Sequence, residues 1–256
     1  MDSLKDKVVV ITGAAGGIGS EAAKLFSKSG SKLFLTDLDQ GRLNSLIEEC
    51  KKSGAKEVHG VRADSGVMSD LENISKKTIE CYGKVDVLVN NVGFAKKVPY
   101  EEHTEADYNS TLDVNLKAAF FLTKWMIPEL IKTRGTIVNL SSAAATNPEP
   151  RFMAYSVAKA GIDHFTRSLA REYAPQGIRV NAIGPGPVRT AFHPDHAALE
   201  KISAEQPLCG ILEPAMIARW ILFLSSQEAG PITGQVIVVD GGRTVTRIPV
   251  GYGPVK

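Results

Sequence analysis

The chain has 256 residues, 43% of them apolar, and a formal net charge of +2. That length suits one α/β domain with a sizeable core, and the near-neutral balance makes no electrostatic case for nucleic acid or a membrane surface. Cys50, Cys81 and Cys209 are far apart, which points to free thiols in a reducing compartment rather than a disulfide frame or a zinc cluster. The opening MDSLKDK is charged and does not read as a signal peptide. No apolar run approaches the roughly 20 residues that span a bilayer, so the expectation is a cytoplasmic protein.

The first stretch, VVVITGAAGGIG, runs from a β-branched strand at 8–11 through a glycine turn into a helix over 20–29. Gly13, Gly17 and Gly19 leave the helix N-terminus open, with backbone N–H groups placed to hold a pyrophosphate. Their G-x-x-x-G-x-G spacing differs from the common G-x-G-x-x-G fingerprint, and a tight turn packing a helix on a sheet would also use these glycines. Further strands are predicted at 33–36, 58–61, 87–89, 136–140, 179–183 and 236–239. Helices fall between them at 39–52, 70–82, 108–133, 153–173 and 214–225. Continuous Val/Ile/Leu strands alternating with helices predict a parallel sheet covered on both faces. No repeat or linker divides residues 1–256. From 184 to 213 the rhythm breaks at Pro185, Pro187, Pro194 and Pro207, as in a binding loop. The tail 248–256, with two prolines and two glycines, suits ordering by a partner subunit.

Asp37 ends the second strand, about 20 residues beyond the turn, where an acid can accept hydrogen bonds from an adenosine ribose. A carboxylate there repels a 2′-phosphate. No Arg or Lys directly follows Asp37, and Arg42 is five residues on, so the charges favour NAD over NADP. A helix N-cap role belongs more naturally to Asp39. Asp64, after the third strand, could reach the adenine or could simply be a turn residue. Asn90, Asn91 and Gly93 close the fourth strand, where side-chain amides bind a ligand or tie down backbone.

Tyr155 and Lys159 lie four residues apart, on one helix face with Cβ atoms roughly 5–6 Å apart. A nearby ammonium favours phenolate over the ordinary phenol pKa near 10, which would make Tyr155 a general acid or base near neutral pH. Y-x-x-x-K by itself occurs by chance on surface helices. Here Ser142 stands thirteen residues earlier, at the carboxyl end of the strand 136–140, where its hydroxyl could hold an oxygen that gains charge. A Ser-Ser pair after a strand could also cap a turn.

These residues resemble the short-chain dehydrogenase/reductase family in its compact branch. The resemblance runs from Lys7 to Gly242. It rests on Thr12-Gly13-x-x-x-Gly17-Ile18-Gly19, Asn90-Asn91-x-Gly93, Asn115, Ser142, Tyr155-x-x-x-Lys159 and Asn181-x-x-x-Pro185-Gly186-x-x-x-Thr190. It implies an α/β, doubly wound (Rossmann-type) sheet of seven parallel strands with helices on both faces, in a single domain. It also implies an NAD(H)-dependent oxidoreductase interconverting a secondary alcohol and a ketone. Asn115, Ser142, Tyr155 and Lys159 would be catalytic: Tyr155 exchanges the proton, Ser142 holds the substrate oxygen, Lys159 binds the nicotinamide ribose, and Asn115 anchors a relay water. The cofactor would lie against Gly13, Gly17, Ile18, Gly19, Asp37, Leu38, Asp64, Ser65, Asn91, Gly93, Tyr155, Lys159, Pro185, Gly186, Val188 and Thr190. Two departures stand out: Val92 replaces the usual Ala, and Gly184 precedes Pro185 where Ser, Ala or Cys is common. Neither removes a functional group.

Residues 188–213 would cap the substrate. Ser142, Tyr155, Phe192 and His193 are its expected contacts, with Ala191, His196, Ala197, Ala198 and Leu199 as further lining. The loop is short, which suggests a modest substrate over a long acyl-carrier arm. Asn147, Glu149 and Arg151 flank the same pocket. His193 and His196 find no acidic cluster to complete a metal site, so no metal is expected. The helix 108–133 is apolar on more than one face, and the resemblance implies homotetramers, or homodimers, through it and the Tyr155 helix. Two alternatives are an NADPH-dependent reductase of this fold and a dinucleotide-sensing protein without catalysis.

Overall fold

The computed structural model describes residues 2–193, 199 and 206–245. His196, Ala197, Ala198 and the tail 248–256 lie outside the described residues. Seven strands form one sheet: β1 (Val8–Thr12), β2 (Lys32–Asp37), β3 (Glu57–Arg62), β4 (Val87–Asn90), β5 (Thr136–Leu140), β6 (Arg179–Pro185) and β7 (Val236–Val239). Their order is β3-β2-β1-β4-β5-β6-β7, and every pairing is parallel. The chain winds one way from β1 and the other way from β4. Adjacent β1 and β4 therefore bound a crevice at their carboxyl ends, where ligands of such sheets sit.

The helices are α1 (Gly17–Lys28), α2 (Gln40–Lys52), α3 (Met68–Tyr82), α4 (Glu105–Leu112), α5 (Ala118–Thr133), α6 (Met153–Tyr173) and α7 (Pro214–Ser225). Successive strand residues point to opposite faces. Val9, Ile11, Leu33 and Leu35 join the core beneath α1, α2 and α7, with Phe26, Leu43, Ile217 and Ile221. Val10, Phe34 and Leu88 join the core beneath α3, α5 and α6, with Ile74, Leu122, Met126 and Leu169. No described helix is long and apolar enough to cross a membrane.

Two elements differ from the sequence reading. Helix α1 begins at Gly17, three residues before the expected 20, because the last glycines of the turn already take helical angles. The helix expected over 108–133 starts at Glu105, where Thr104 and Asp107 form a reciprocal cap. It is then interrupted by a π-helical turn, Asp113–Lys117, centred on Asn115. Such turns insert one residue into a helix and gather at functional sites.

Candidate active site

The glycine turn joins β1 to α1. Gly13 takes φ +59°, a left-handed angle suited to glycine. A Cβ on Gly19 would collide with the Gly13 carbonyl and would stand 2.8 Å from Asn91 Nδ2. No side chain caps α1 at Gly16, so the first-turn N–H groups remain open to an anion. Asn91 donates from Nδ2 to the carbonyls of Thr12 and Gly13, at 3.0 and 2.9 Å, and its N–H donates to Thr12 Oγ1 at 3.1 Å. Of the two readings of that amide, the backbone strap is the one its Nδ2 serves. Asn90 lies inward and donates to Thr123 and Asn139.

Asp37 reaches back from β2. Its Oδ2 accepts the Ala15 N–H at 2.9 Å and its Oδ1 accepts the Asp39 N–H at 3.1 Å. Asp39 caps α2, as the sequence implied. Leu38 is exposed beside it. Asp64 accepts the Gly66 N–H at 2.8 Å, which is turn chemistry, and Ser65 next to it is buried.

The segment after β6 crosses to the turn. A Cβ on Gly17 would lie 2.6 Å from Thr190 Cγ2, so these two residues, far apart in sequence, meet in space. Pro185 ends β6, and the Gly186 N–H donates to Val239. Val188 bridges to Leu212 and Arg189 pairs with Glu213 at 2.9 Å. These contacts close the base of the loop 188–213.

Ser142 follows β5, and its Oγ accepts the Ala144 N–H at 3.1 Å, capping a short turn. Tyr155 stands in the first turn of α6, and Lys159 one turn on, with Nζ 5.6 Å from the Tyr155 ring centre. Lys159 is buried, and Nζ donates to the Leu140 carbonyl at 2.8 Å. Burial pushes Lys159 down to about 8, with Asp163 opposing. Burial pushes Tyr155 up to about 12, with the Ser142 hydroxyl pulling the other way. The phenol is therefore not drawn toward phenolate, contrary to the expectation from spacing alone: burial, which disfavours the anion, is the larger cause. A neutral phenol is a proton donor. Asn115 holds the loop after β4, donating to Phe94 O at 2.6 Å and to Thr111 O at 2.8 Å and accepting the Phe94 N–H at 3.2 Å. A Cβ on Gly93 would be 3.6 Å from Asn115 Oδ1 and 3.8 Å from Lys159 Nζ, so these three converge.

Aromatic rings surround Tyr155. Phe192 lies 5.6 Å away and Phe152 6.1 Å, and His193 stands 5.1 Å from Phe192. Burial and Lys97 hold His193 below its usual range. Phe152 and Phe94 were not singled out from sequence, although each adjoins a motif that was. Arg243 pairs with Glu149 at 2.5 Å, a contact between distant segments with no local signature. Asn147 and Arg151 are exposed, and Leu199 is buried. Among the described residues, no cluster of His, Cys, Asp or Glu could hold a metal.

A family model described as enoyl-(acyl carrier protein) reductase matches residues 13–244. An uncharacterized oxidoreductase of Thermotoga maritima is 38% identical over 94% of this chain and 99% of its own. The 3-oxoacyl-(acyl-carrier-protein) reductase FabG of the same organism is 35% identical over 94% of this chain and 99% of its own. A crystal structure from Caenorhabditis elegans, of a short-chain dehydrogenase/reductase of unknown function with cofactor, superposes with a TM-score of 0.90. It is 34% identical and covers 98% of this chain and 100% of that one. Sequence and shape agree along almost the whole length, and the chain belongs to the short-chain dehydrogenase/reductase family of oxidoreductases.

Proposed function

We propose that this oxidoreductase uses NAD(H) to interconvert a secondary alcohol and a ketone. The observation that carries the reading is the meeting of Tyr155 and Lys159 at the end of β5, with Lys159 Nζ 5.6 Å from the Tyr155 ring centre and 2.8 Å from the Leu140 carbonyl, beside Ser142. The cofactor supplies or takes the hydride when bound. The open N–H groups at Gly17, Ile18 and Gly19, with the Gly13 turn, suit its pyrophosphate. Asp37 faces the adenosine ribose, with Leu38, Asp64 and Ser65 toward the adenine. Asn91 and Gly93 form the floor. Pro185, Gly186, Val188 and Thr190 hold the carboxamide end.

In ketone reduction Tyr155 Oη gives its proton to the substrate oxygen, while the Ser142 hydroxyl holds that oxygen as charge grows on it. Lys159 binds the ribose hydroxyls and supports proton resupply past Gly93 and Asn115. Phe192 and His193 line the substrate side. The test is the initial rate of NADH oxidation, with NADPH in parallel, over small and polycyclic ketones. Faster NADH oxidation, lost in Tyr155→Phe, supports the reading. Tight NADH binding with no turnover on any ketone or alcohol overturns it in favour of a sensor.

A second reading is an NADPH-dependent reductase. Arg62 is the register partner of Asp37 across β2 and β3, and Arg42 lies in the first turn of α2, so cations stand within the same corner. For assembly, Phe120 is 47% exposed yet stacks on Phe165 at 5.1 Å, and Met153 and Val157 are half exposed on α6. A second copy covering this α5/α6 face, in a homotetramer or homodimer, accounts for them. Phe120→Asp should then lower the mass found by sedimentation.

A further inference from the structure

We infer that Asp163 is a positioning residue for this site: its buried carboxylate, one helical turn beyond Lys159, keeps the Lys159 ammonium charged inside the cleft. This rests on the role given to Lys159 above. Tyr155, Lys159 and Asp163 recur every four residues along α6 and so share one face. Lys159 is 2% exposed and Asp163 4%. The end of β5 is stitched to this face: Lys159 Nζ donates to Leu140 O, and Ser141 Oγ donates to Lys159 O at 3.3 Å. Asp163 Oδ1 is buried and meets no donor among the described residues. A buried carboxylate in a helix interior is costly unless a charge offsets it. Lys159, one turn back on the same face, is buried as Asp163 is, whereas Arg167 on the following turn is exposed.

Most of the surrounding charges are engaged elsewhere. Facing Lys159 from other elements are the Leu140 carbonyl, Ser141, Gly93 and Asn115, which do not ionise. Asp107 on α4 is held by Lys96, Asp113 in the π-turn by Lys117, and Glu149 by Arg243. On α6 itself, exposed Arg167 acts on Asp163 from the following turn. Burial lowers Lys159 and raises Asp163, and each acts on the other in the opposite sense. Asp163 thus limits how far the cleft strips Lys159 of its proton.

The test is a titration of the Lys159 ammonium by NMR in the full-length protein labelled at lysine side chains, assigned with Lys159→Arg. It is run beside the pH profile of kcat/KM for NADH. In Asp163→Asn the Lys159 midpoint should fall by about one pH unit, the scale of a close opposite charge, and the alkaline limb of the profile should fall with it. An unchanged midpoint overturns the inference, even if rate or Tm declines, because that is a purely structural effect. Should Asp163→Asn fail to fold, the Asp163 carboxyl is titrated instead, by NMR in the wild-type protein and in Lys159→Met. Coupling between two groups is reciprocal, so a carboxyl midpoint that rises in Lys159→Met supports the inference and an unmoved one overturns it. A shifted midpoint in a protein that turns over no substrate would uphold the coupling and sink the oxidoreductase reading.

Discussion

The carboxylate of Asp37 accepts the backbone N–H of Ala15 at 2.9 Å, so the end of β2 grips the glycine turn directly. On the cofactor placement proposed above, the same carboxylate that shapes the turn also puts negative charge where a 2′-phosphate would lie. Neither Ala15 nor Leu38 supplies a compensating cation. Replacing the pair as Asp37→Ser with Leu38→Arg should raise the NADPH-to-NADH ratio of kcat/KM on the order of 100-fold, since like-charge contact costs several kcal/mol. A ratio that stays put would mean Asp37 serves the turn alone.

The meeting of Gly17 and Thr190 gives a second expectation. In Gly17→Ala the new methyl falls 2.6 Å from Thr190 Cγ2, and the loop must give way. Overpacking of this kind costs about 1–3 kcal/mol, so NADH binding, followed by the fluorescence of the bound cofactor, should weaken about 5- to 100-fold. Thr190→Ser deletes the offending methyl and keeps the hydroxyl. Added to Gly17→Ala, it should restore part of the binding. Equal weakening in the single and double variants would show that the methyl contact is not the cause.

The strands were legible because parallel strands buried on both faces read as unbroken β-branched runs, and the Asp39 cap was legible from residue type. The π-turn at Asn115 was not. An apolar repeat along 108–133 says that a helix is buried but carries no mark of one inserted residue. Tyr155, Lys159 and Ser142 could be read from spacing, yet spacing misjudged the phenol. It counts the charge of Lys159 and cannot see the burial that raises the phenol. The Glu149–Arg243 pair joins residues 94 apart, and nothing local in either segment announces the other.

The two perturbed groups set a pH dependence. Tyr155, raised to about 12, stays protonated across the working range and keeps its proton available for reduction. Lys159, lowered to about 8, is charged below that value and loses its charge as pH rises through it. Ketone reduction measured as kcat/KM for NADH, which reports the free enzyme, should therefore be level below about pH 7 and fall through about pH 8. Tyr155→Phe should cost about 10²- to 10⁴-fold in turnover and leave NADH affinity within a factor of about two. A profile that instead rises through pH 8 would mean the neutral amine is the active form.

Asn115 answers both the amide and the carbonyl of Phe94 and also reaches Thr111 O. Before it does any chemistry, it pins the loop that follows β4. Asn115→Ala strands these backbone groups, and each buried unsatisfied group costs about 1–3 kcal/mol. Urea unfolding should show a loss of about 2–4 kcal/mol, given partial rehydration of the loop. Phe94 is 41% exposed and sits beside Gly93, so its release should also raise KM. If stability is intact while kcat collapses, the side chain acts in proton movement rather than as a brace. If stability and kcat fall together and a second-site mutation elsewhere that restores stability also restores kcat, the brace accounts for the whole effect.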